Sequence, residues 1–420
     1  MTAEILIGLV MLIGMIGAIC IGIQISFALL FLALTFGYLA LGTTVFDLAY
    51  FQTIGLMKEE LLAAVPLFIF MGYIAEQAGL MQRLFSAFRM VLAAVRGLIP
   101  PSVMLIVMGP VLGVSVADLY ASAFGPGFLL AGLYLVYLAV RSTINPELRP
   151  PLPKEERVMS VIAILREVAV GVLPLLLLIA ATLGSILAEL ATPTEASGIG
   201  ALGALILAIA YRRLTYAGLK RALISATTTS SMVLLLVVTS NIFGAVFARM
   251  GTANWVTDAM VALPVPPVVM LGFVIILLIL LGWPFEWPAI ILVFLPIFYP
   301  VVDALRPALS QSLGIPEDLF MVWFGSLVAV TMQTALVSPP VAMSAYYLKR
   351  VGMFEFMVLQ CIAIAIVMFV PSIATKLPEQ LRSEQRAVET QDVDDSMNRL
   401  EEDPLKGTQQ RNEEEEKTQK

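Results

Sequence analysis

The chain has 420 residues, 59% of them hydrophobic, and a mean hydropathy of +0.92, which together exclude a soluble globular protein. It contains no histidine and two cysteines, so imidazole acid–base chemistry, histidine-ligated metals and a disulfide framework are excluded as well. The formal net charge of −6 is carried by residues 377–420, which hold 13 acidic and 7 basic side chains.

Eleven apolar runs follow one another along the rest of the chain, and most are long enough to cross the roughly 30 Å hydrocarbon core of a bilayer. They lie near residues 5–22, 26–42, 61–78, 121–140, 167–187, 195–211, 228–248, 267–281, 288–302, 318–336 and 354–375. Because no basic residue precedes Lys58, we expect the first run to be a retained helix and not a cleaved signal peptide. Thr192, Pro193 and Glu195 form a capping box that predicts a helix start. The runs predict an all-α polytopic membrane protein.

Basic residues predict the orientation of these helices, since cytoplasmic connections are rich in Arg and Lys. The stretches expected inside are 83–96, 141–157, 212–221 and 349–350. The connections expected outside hold few cations and lie near 43–57, 188–194, 250–266 and 303–317. Alternation then places the N-terminus and the acidic tail outside. The tail is polar and poor in aromatic residues, so we expect disorder over 377–420.

Two segments do not fit a simple crossing. Residues 267–302 form two apolar runs around "GWPFEWP", and both flanks are expected outside, so we predict a re-entrant hairpin with its tip inside the membrane. Residues 318–350 form a helix that is broken at Pro339 and Pro340, because neither proline donates a backbone hydrogen bond. A break at membrane depth is tolerated only where the freed carbonyls face protein, ions or water. Hairpins and broken helices of this kind are typical of transporter binding sites.

Similar segments recur on opposite sides of the membrane, which predicts an inverted repeat. At an offset of 172, Gly72 matches Gly244 and Gly79 matches Gly251. At an offset of 239, the double proline 100–101 matches 339–340 and Gly113 matches Gly352. The offsets differ by 67, so the first half lacks about 67 residues between about Gly79 and Pro100, where its own hairpin belongs.

These patterns divide the chain into five parts. They are the N-terminal scaffold helices (1–60), the first repeat half without its hairpin (61–140), a loop with scaffold helices (141–227), the second repeat half with hairpin 267–302 and broken helix 318–350 (228–376), and the acidic tail (377–420).

Five stretches of the sequence resemble one family of membrane proteins. They are "VPLFIFMGYIAEQAGLMQRLF", "LIPPSVMLIVMGPVLGVSVADLYASAFGPGFLLAG", "ATPTEASGIGALGALILA", "GWPFEWPAIILVFLPIFYP" and "SPPVAM". In this order they resemble the large, DctM-like membrane subunit of tripartite ATP-independent periplasmic (TRAP) transporters. "PTEASGIGA" and the paired proline breaks are the more specific parts of the resemblance. The family's first hairpin has no counterpart here, which puts one sodium site and half of the substrate site in doubt.

The resemblance implies an elevator-type, sodium-coupled importer of organic acids, such as 2-oxo acids or C4-dicarboxylates, in the bacterial inner membrane. A periplasmic solute-binding protein would deliver the substrate, and a small four-helix membrane subunit would bind the scaffold. Sodium would be the coupling ion, with no other cofactor and no nucleic-acid partner. We do not expect an enzyme, because the chain has no Walker or dinucleotide glycine motif and no nucleophile elbow.

Sodium ligands are expected at the two helix breaks. Ser338 and Pro339 expose unwound carbonyls, and Gln333 and Thr334 add side-chain oxygens, which suit a hard cation. Ser102, beside the first break, is the symmetric candidate, although its hairpin partner is missing. A simple proline kink is the alternative interpretation of the second break.

Substrate ligands are expected at the hairpin tip and on the helix that precedes it. An acid at mid-membrane depth is costly, so Glu286 is expected to contact substrate or cation or to orient a helix; the alternative is a favourable charge at a helix N-terminus. Trp283, Phe285 and Trp287 would pack against an apolar part of the substrate or against the protein. Asn241, in "TSN", would line the site or bond to a neighbouring helix. Helix N-termini at the tip would meet a substrate carboxylate.

Three other functions stay open at this point. A transport-defective or regulatory paralogue that still binds the small subunit is favoured by the missing segment. An intramembrane enzyme is disfavoured by the lack of histidine and of a metal cluster in the sequence. A channel is disfavoured because inverted repeats with broken helices are typical of alternating access.

Overall fold

The structure is a computed structural model that describes residues 3–79, 103–144, 173–282, 285, 287–337 and 353–383. Within these residues the regular structure is helical, and no strand is present. The helices are α1 (Ala3–Cys20), α2 (Ile25–Leu41), α3 (Thr44–Met57), α4 (Glu60–Gln77), α5 (Val103–Leu112), α6 (Val116–Ile144), α7 (Leu173–Leu187), α8 (Pro193–Ala210), α9 (Tyr216–Arg249), α10 (Thr252–Val261), α11 (Pro267–Leu281), α12 (Trp287–Leu313), α13 (Phe320–Val337), α14 (Met353–Phe369) and α15 (Ser372–Ser383).

Six of the described helices are long and apolar enough to cross a membrane, namely α1, α4, α6, α8, α9 and α12. Helices α14 and α15, which meet at an angle of 52°, pass the same test when they are taken as one span. The break between them falls at Pro371, which cannot donate a backbone hydrogen bond. The predicted all-α polytopic membrane fold is confirmed.

Helix α3 occupies the connection expected near 43–57. Its 14 residues extend about 21 Å, which is too short to cross the hydrocarbon core. Phe46, Tyr50 and Phe51 are exposed on its surface. The connection is therefore a short helix with aromatic side chains and not an irregular loop.

Helix α15 corrects the expected start of disorder. It continues to Ser383, inside the stretch 377–420 that is predicted to be disordered. The physical reason is tertiary, because Arg382 forms ion pairs with Asp118 and Asp318 on other parts of the fold. The remaining tail, 384–420, lies outside the described residues.

Helix α13 packs among helices of both predicted repeat halves. From Phe320 to Ala335 its side chains are buried, except that Gln333 is half-buried. Helices α5, α6, α11 and α14 pack around it. Helices α11 and α12, which cover the residues of the predicted hairpin, pack against each other beside it, and α12 extends to Leu313 instead of ending near 302.

A second group of helices packs around α4. Helices α8 and α9 contact α4, and α2 and α3 contact α9. The start of α8 has the predicted capping box: the Glu195 backbone N–H donates to the Thr192 hydroxyl at 3.3 Å, and the Thr192 backbone N–H donates to the Glu195 carboxylate at 2.8 Å. The Thr194 hydroxyl donates to the carbonyl of Glu60, which ties the starts of α8 and α4 together.

Contacts between helix ends agree with the sides of the membrane that the basic residues predict. Each contact joins two helix ends that are predicted on the same side. On the side expected outside, the contacts are Thr194 with Glu60, Thr252 with Gly8, and Arg382 with Asp118 and Asp318. On the side expected inside, Gln77 lies beside Gly218 and Arg141 pairs with Glu355. This grouping supports the predicted alternation of the helices.

One pair of repeat glycines has the same conformation in both halves. Gly79 and Gly251 each follow the last residue of a helix by two positions, and their φ angles are +69° and +73°. Glycine tolerates this left-handed backbone because it has no Cβ. Equal helix endings at an offset of 172 are what an inverted repeat predicts. Gly352 and the double prolines lie outside the described residues.

Candidate functional site at the hairpin tip

The hairpin tip approaches the C-terminal end of α13. Helix α11 ends at Leu281, and a Cβ placed on the next residue, Gly282, would lie 3.2 Å from the Cβ of Ala335. That distance is shorter than ordinary van der Waals contact, so the close approach depends on glycine at the tip. The sequence predicts the tip and the helix that starts near 318 as separate features, and the structure brings Gly282 of the tip beside Ala335 of that helix.

Aromatic side chains pack together where the tip leads into α12. Phe285 is 1% exposed and its ring lies 5.0 Å from that of Phe294, between ring centroids. Trp287, the first residue of α12, is half-buried. Phe285 is therefore part of the packing at the tip. Trp283 and Glu286, the other predicted substrate ligands of the tip, lie outside the described residues.

The polar segment of α9 contacts the hairpin through Ser240. The Ser240 hydroxyl donates to the carbonyl of Leu292, which lies in a π-helical turn at Ile290–Phe294. A π-turn changes the pattern of backbone bonds, and such turns are frequent at functional sites. Thr239 donates to the carbonyl of Leu235 within its own helix at 3.0 Å. Asn241, the predicted ligand of this segment, is exposed, so its neighbour Ser240 makes the bond to the hairpin.

Hydroxyl groups follow the last turns of α13. Thr331 donates to the carbonyl of Leu327 at 2.8 Å, and Thr334 donates to that of Thr331 at 2.7 Å. Each hydroxyl oxygen keeps lone pairs that can accept or coordinate. Thr334 is 3% exposed, so its hydroxyl group is buried. The predicted ligands Ser338, Pro339 and Ser102 lie outside the described residues.

Gln360 of α14 joins the same region and is not among the predicted site residues. Its side-chain nitrogen donates to the carbonyl of Gln333 at 3.1 Å, so the predicted ligand Gln333 is joined to α14. Gln360 is 2% exposed although it lies in the middle of an apolar helix. A single amide inside the run 354–375 is the sequence signal that points to it.

Among the described residues, the electrostatics of this junction come from neutral groups and helix ends. Helix α13 presents its C-terminal end here, which carries partial negative charge, and α12 presents its N-terminal end, which carries partial positive charge. A cation is favoured near the first and a carboxylate near the second. The arrangement can therefore hold a small cation and an anionic group side by side.

Comparison with known proteins identifies the family. The family model described as "Tripartite ATP-independent periplasmic transporter, DctM component" matches residues 93–377. The sialic acid TRAP transporter large permease SiaM of Vibrio cholerae is 25% identical and aligns with 87% of this chain and 97% of its own length. The sialic acid permease SiaT of Haemophilus influenzae is 25% identical over 68% of this chain and 45% of its own length. The C4-dicarboxylate permease DctM of Pseudomonas aeruginosa is 26% identical over 68% of this chain and 65% of its own length.

The alignment with the Vibrio cholerae protein bears on the missing segment. It spans 436 positions, whereas 87% of the 420 residues here is about 365 residues. About 70 aligned positions therefore carry no residue of this chain. That number is close to the 67 residues by which the two repeat offsets differ. The family model also begins its match at residue 93, inside the interval expected to carry the gap.

Proposed function

The chain belongs to the DctM family of tripartite ATP-independent periplasmic transporter components, and we propose that it is the membrane permease of a sodium-coupled importer of organic acids. The coarser part of this statement, a multi-pass large permease of organic-acid uptake, follows from the family. The coupling ion, the substrate class and the site residues are the proposal.

The observation that carries the proposal is the contact of the hairpin tip with the end of α13. A reversible cation site needs several oxygen ligands without a full counter-charge, and the last turns of α13 offer hydroxyl and carbonyl oxygens. The adjacent N-terminal end of α12 offers partial positive charge to a carboxylate. One junction can thus bind cation and substrate together, which is the condition for coupling their movement.

Partners and mechanism follow from the same assignment. A periplasmic solute-binding protein would deliver the organic acid, and a small membrane subunit would bind the scaffold in the bacterial inner membrane. The hairpin α11–α12 with α13 would move as one body against the group of helices around α4, as in an elevator transporter. The sialic acid and C4-dicarboxylate relatives are named for carboxylates, which is in line with an anionic substrate.

Reconstitution tests the proposal directly. The full chain is placed in vesicles with its small subunit, the binding protein is added outside, and uptake of labelled sialic acid, C4-dicarboxylates and 2-oxo acids is followed. We expect uptake of at least one acid that requires an inward sodium gradient and stops when potassium replaces sodium. Uptake that is equally fast without sodium would contradict sodium coupling.

A second candidate function is favoured by the roughly 70 aligned positions that this chain lacks. A permease without its first hairpin would bind the small subunit and move no substrate. Inserting the corresponding segment of a relative between Gly79 and Pro100 separates the two candidates. Uptake only after the insertion would favour the defective paralogue, and uptake by the chain as it stands would exclude it.

A further inference from the structure

Gln360 is placed so that its two amide atoms have different surroundings. The nitrogen donates to the carbonyl of Gln333, and this bond determines which atom of the amide is the oxygen. Tyr134 of α6 is also hydrogen-bonded to the side chain. The amide is therefore held between three helices, with its orientation fixed from α13.

The amide oxygen of Gln360 is buried and has no hydrogen-bond partner in the described part of the chain. Because the oxygen and nitrogen of one amide are about 2.2 Å apart, the oxygen lies within about 5 Å of the Gln333 carbonyl. Leaving a buried amide oxygen without a partner is destabilising, and such an atom calls for a water, an ion or a role. An apolar residue would fill the same space in α14 without this penalty.

Two features of the surroundings favour a cation near this oxygen. The oxygen lies near the C-terminal end of α13, where the helix dipole is negative. Thr334, next to Gln333, has a buried hydroxyl whose proton is already donated to a backbone carbonyl, so its oxygen is available as an acceptor. Oxygens from a side-chain amide, a hydroxyl and a backbone carbonyl are the ligands that a hard monovalent cation takes.

We propose that the side-chain oxygen of Gln360 is a ligand of the coupling sodium ion, contributed by α14 to the oxygen set at the end of α13. This inference rests on the proposed sodium coupling and adds a residue to it. The amide nitrogen positions the oxygen by its bond to Gln333, so the two helices are joined through the ligand itself.

The test measures uptake as a function of sodium concentration for two variants of the reconstituted full chain. Gln360→Met has a similar volume and removes both amide atoms, whereas Gln360→Glu keeps a side-chain oxygen and adds charge but loses the nitrogen that donates to Gln333. Ser326→Ala is the matched control, because Ser326 of α13 is fully buried and its hydroxyl donates to the Ser122 carbonyl at 3.1 Å, away from the tip. Sodium-dependent stabilisation against heat in detergent is measured on the same proteins.

We expect Gln360→Met to raise the half-saturating sodium concentration about tenfold, which corresponds to about 1.4 kcal/mol of lost binding, while the maximal rate at saturating sodium stays within about twofold. Its sodium-dependent thermal shift should disappear. We expect Gln360→Glu to keep or lower the half-saturating concentration and to make it depend on pH, and Ser326→Ala to leave it unchanged.

Wild-type sodium dependence in Gln360→Met would overturn the inference. So would an equal fall of the maximal rate in both Gln360 variants at an unchanged half-saturating concentration, because that pattern indicates a structural role or a bound water. If Gln360→Met does not fold, Gln360→Glu decides: an unchanged half-saturating concentration at acidic and alkaline pH overturns the inference. If the unaltered chain shows neither sodium-driven uptake nor sodium-dependent stabilisation, the proposed function itself fails.

Discussion

Helix α6 and the bent pair α14–α15 run antiparallel, and their two ends are held together by different chemistry. At the end expected outside, Arg382 binds both oxygens of Asp118, at 2.6 and 3.2 Å, and also reaches Asp318 at 2.9 Å. The side chains of Arg382 and Asp118 are 27% and 16% exposed. At the end expected inside, Arg141 approaches Glu355 at 3.7 Å, and both side chains are more exposed, at 40% and 35%.

Packing differs between the two ends in the same way. Near the outer end, a Cβ on Gly125 of α6 would overlap the backbone carbonyl oxygen of Ile373 in α15, so the two helices touch through glycine. Near the inner end, the ring of Phe356 meets Tyr134 and Tyr137 edge-on, with centroids 5.0 and 5.5 Å apart. The outer end is held by close backbone approach and a forked ion pair, and the inner end by aromatic rings and a long ion pair.

The two ion pairs occupy corresponding positions in the predicted repeat. At the offset of 239, Asp118 corresponds to position 357 and Arg382 to position 143, each within two residues of the other ion pair. Both ends therefore place an acid at a helix start beside an arginine at a helix end. The sequence positions of the acid and the arginine correspond at the two ends. The geometry and burial of the two ion pairs differ, because different residues surround each pair. A bidentate, partly buried pair contributes more to stability than an exposed pair, which typically contributes about 0.2–1 kcal/mol.

The glycine contact is expected to give the largest effect. Gly125→Val should lower the free energy of unfolding by about 3 kcal/mol or more, because the carbonyl of Ile373 is backbone and cannot move aside. The measurement is unfolding of the purified chain in mixed micelles, followed by circular dichroism. Gly127→Val is the control, since a Cβ there meets no atom within 4 Å. Equal losses in both variants would contradict the close-approach explanation.

The forked ion pair is expected to come next. Arg382→Met should lower the free energy of unfolding by about 2 kcal/mol, because it leaves two carboxylates without their partner, whereas Arg141→Met should lower it by less than about 1 kcal/mol. A double-mutant cycle with Asp118→Asn should give a coupling energy of about 1–2 kcal/mol for Arg382. If the free energy of unfolding falls equally in the two arginine variants, the difference in geometry between the two ion pairs does not affect stability.

The aromatic contact of the inner end is expected to have a moderate effect. Phe356→Leu should lower the free energy of unfolding by about 1 kcal/mol, since it removes two edge-on ring contacts from a nearly buried side chain. Phe354→Leu on the same helix is the matched control, because Phe354 is 74% exposed. A loss as large in the control would show that the effect comes from the helix and not from the rings.

Salt is expected to give the smallest effect, and it should act differently on the two ion pairs. Raising the ionic strength from about 0.05 to about 0.5 M shortens the screening length and should remove the few tenths of a kcal/mol lost in Arg141→Met. The loss in Arg382→Met should stay mostly unchanged, because that pair is less exposed. Unfolding titrations of both variants at the two salt concentrations measure this. If the loss of unfolding free energy in Arg382→Met also disappears at the higher salt concentration, salt screens both ion pairs equally and the prediction is wrong.

Local sequence patterns were sufficient for much of the fold. Apolar runs predict the helices because a backbone in lipid must satisfy its own hydrogen bonds. The capping box at Thr192 and Glu195 is confirmed. It could be predicted from sequence because its two residues are only three positions apart. The predicted start of disorder at 377 is too early, since α15 continues to Ser383. Local composition does not show this, because Arg382 pairs with residues that are more than 60 positions away in sequence.

The candidate site also combines features that are visible in the sequence with contacts that are visible only in the structure. The tip at Gly282 and the oxygen-bearing end of α13 are visible in the sequence as a glycine between two apolar runs and a helix that ends in a double proline. That these two meet, with Ser240 on one side and Gln360 on the other, is not visible, because Ser240 bonds to a residue 52 positions away and Gln360 to one 27 positions away. A polar residue in an apolar helix signals that a partner exists and does not say which one.

The amino-acid sequence is enough to predict the class of protein, the order of its helices, the sides on which their ends are expected and two places where an interrupted helix is expected. These follow from hydropathy, charge and backbone chemistry, which act within a few residues. Which helix ends touch, how tightly the two ion pairs close and which amide oxygen lies beside α13 are seen in the folded structure and not in the sequence. Contacts between distant residues depend on distances of a few ångströms, and helix packing sets those distances.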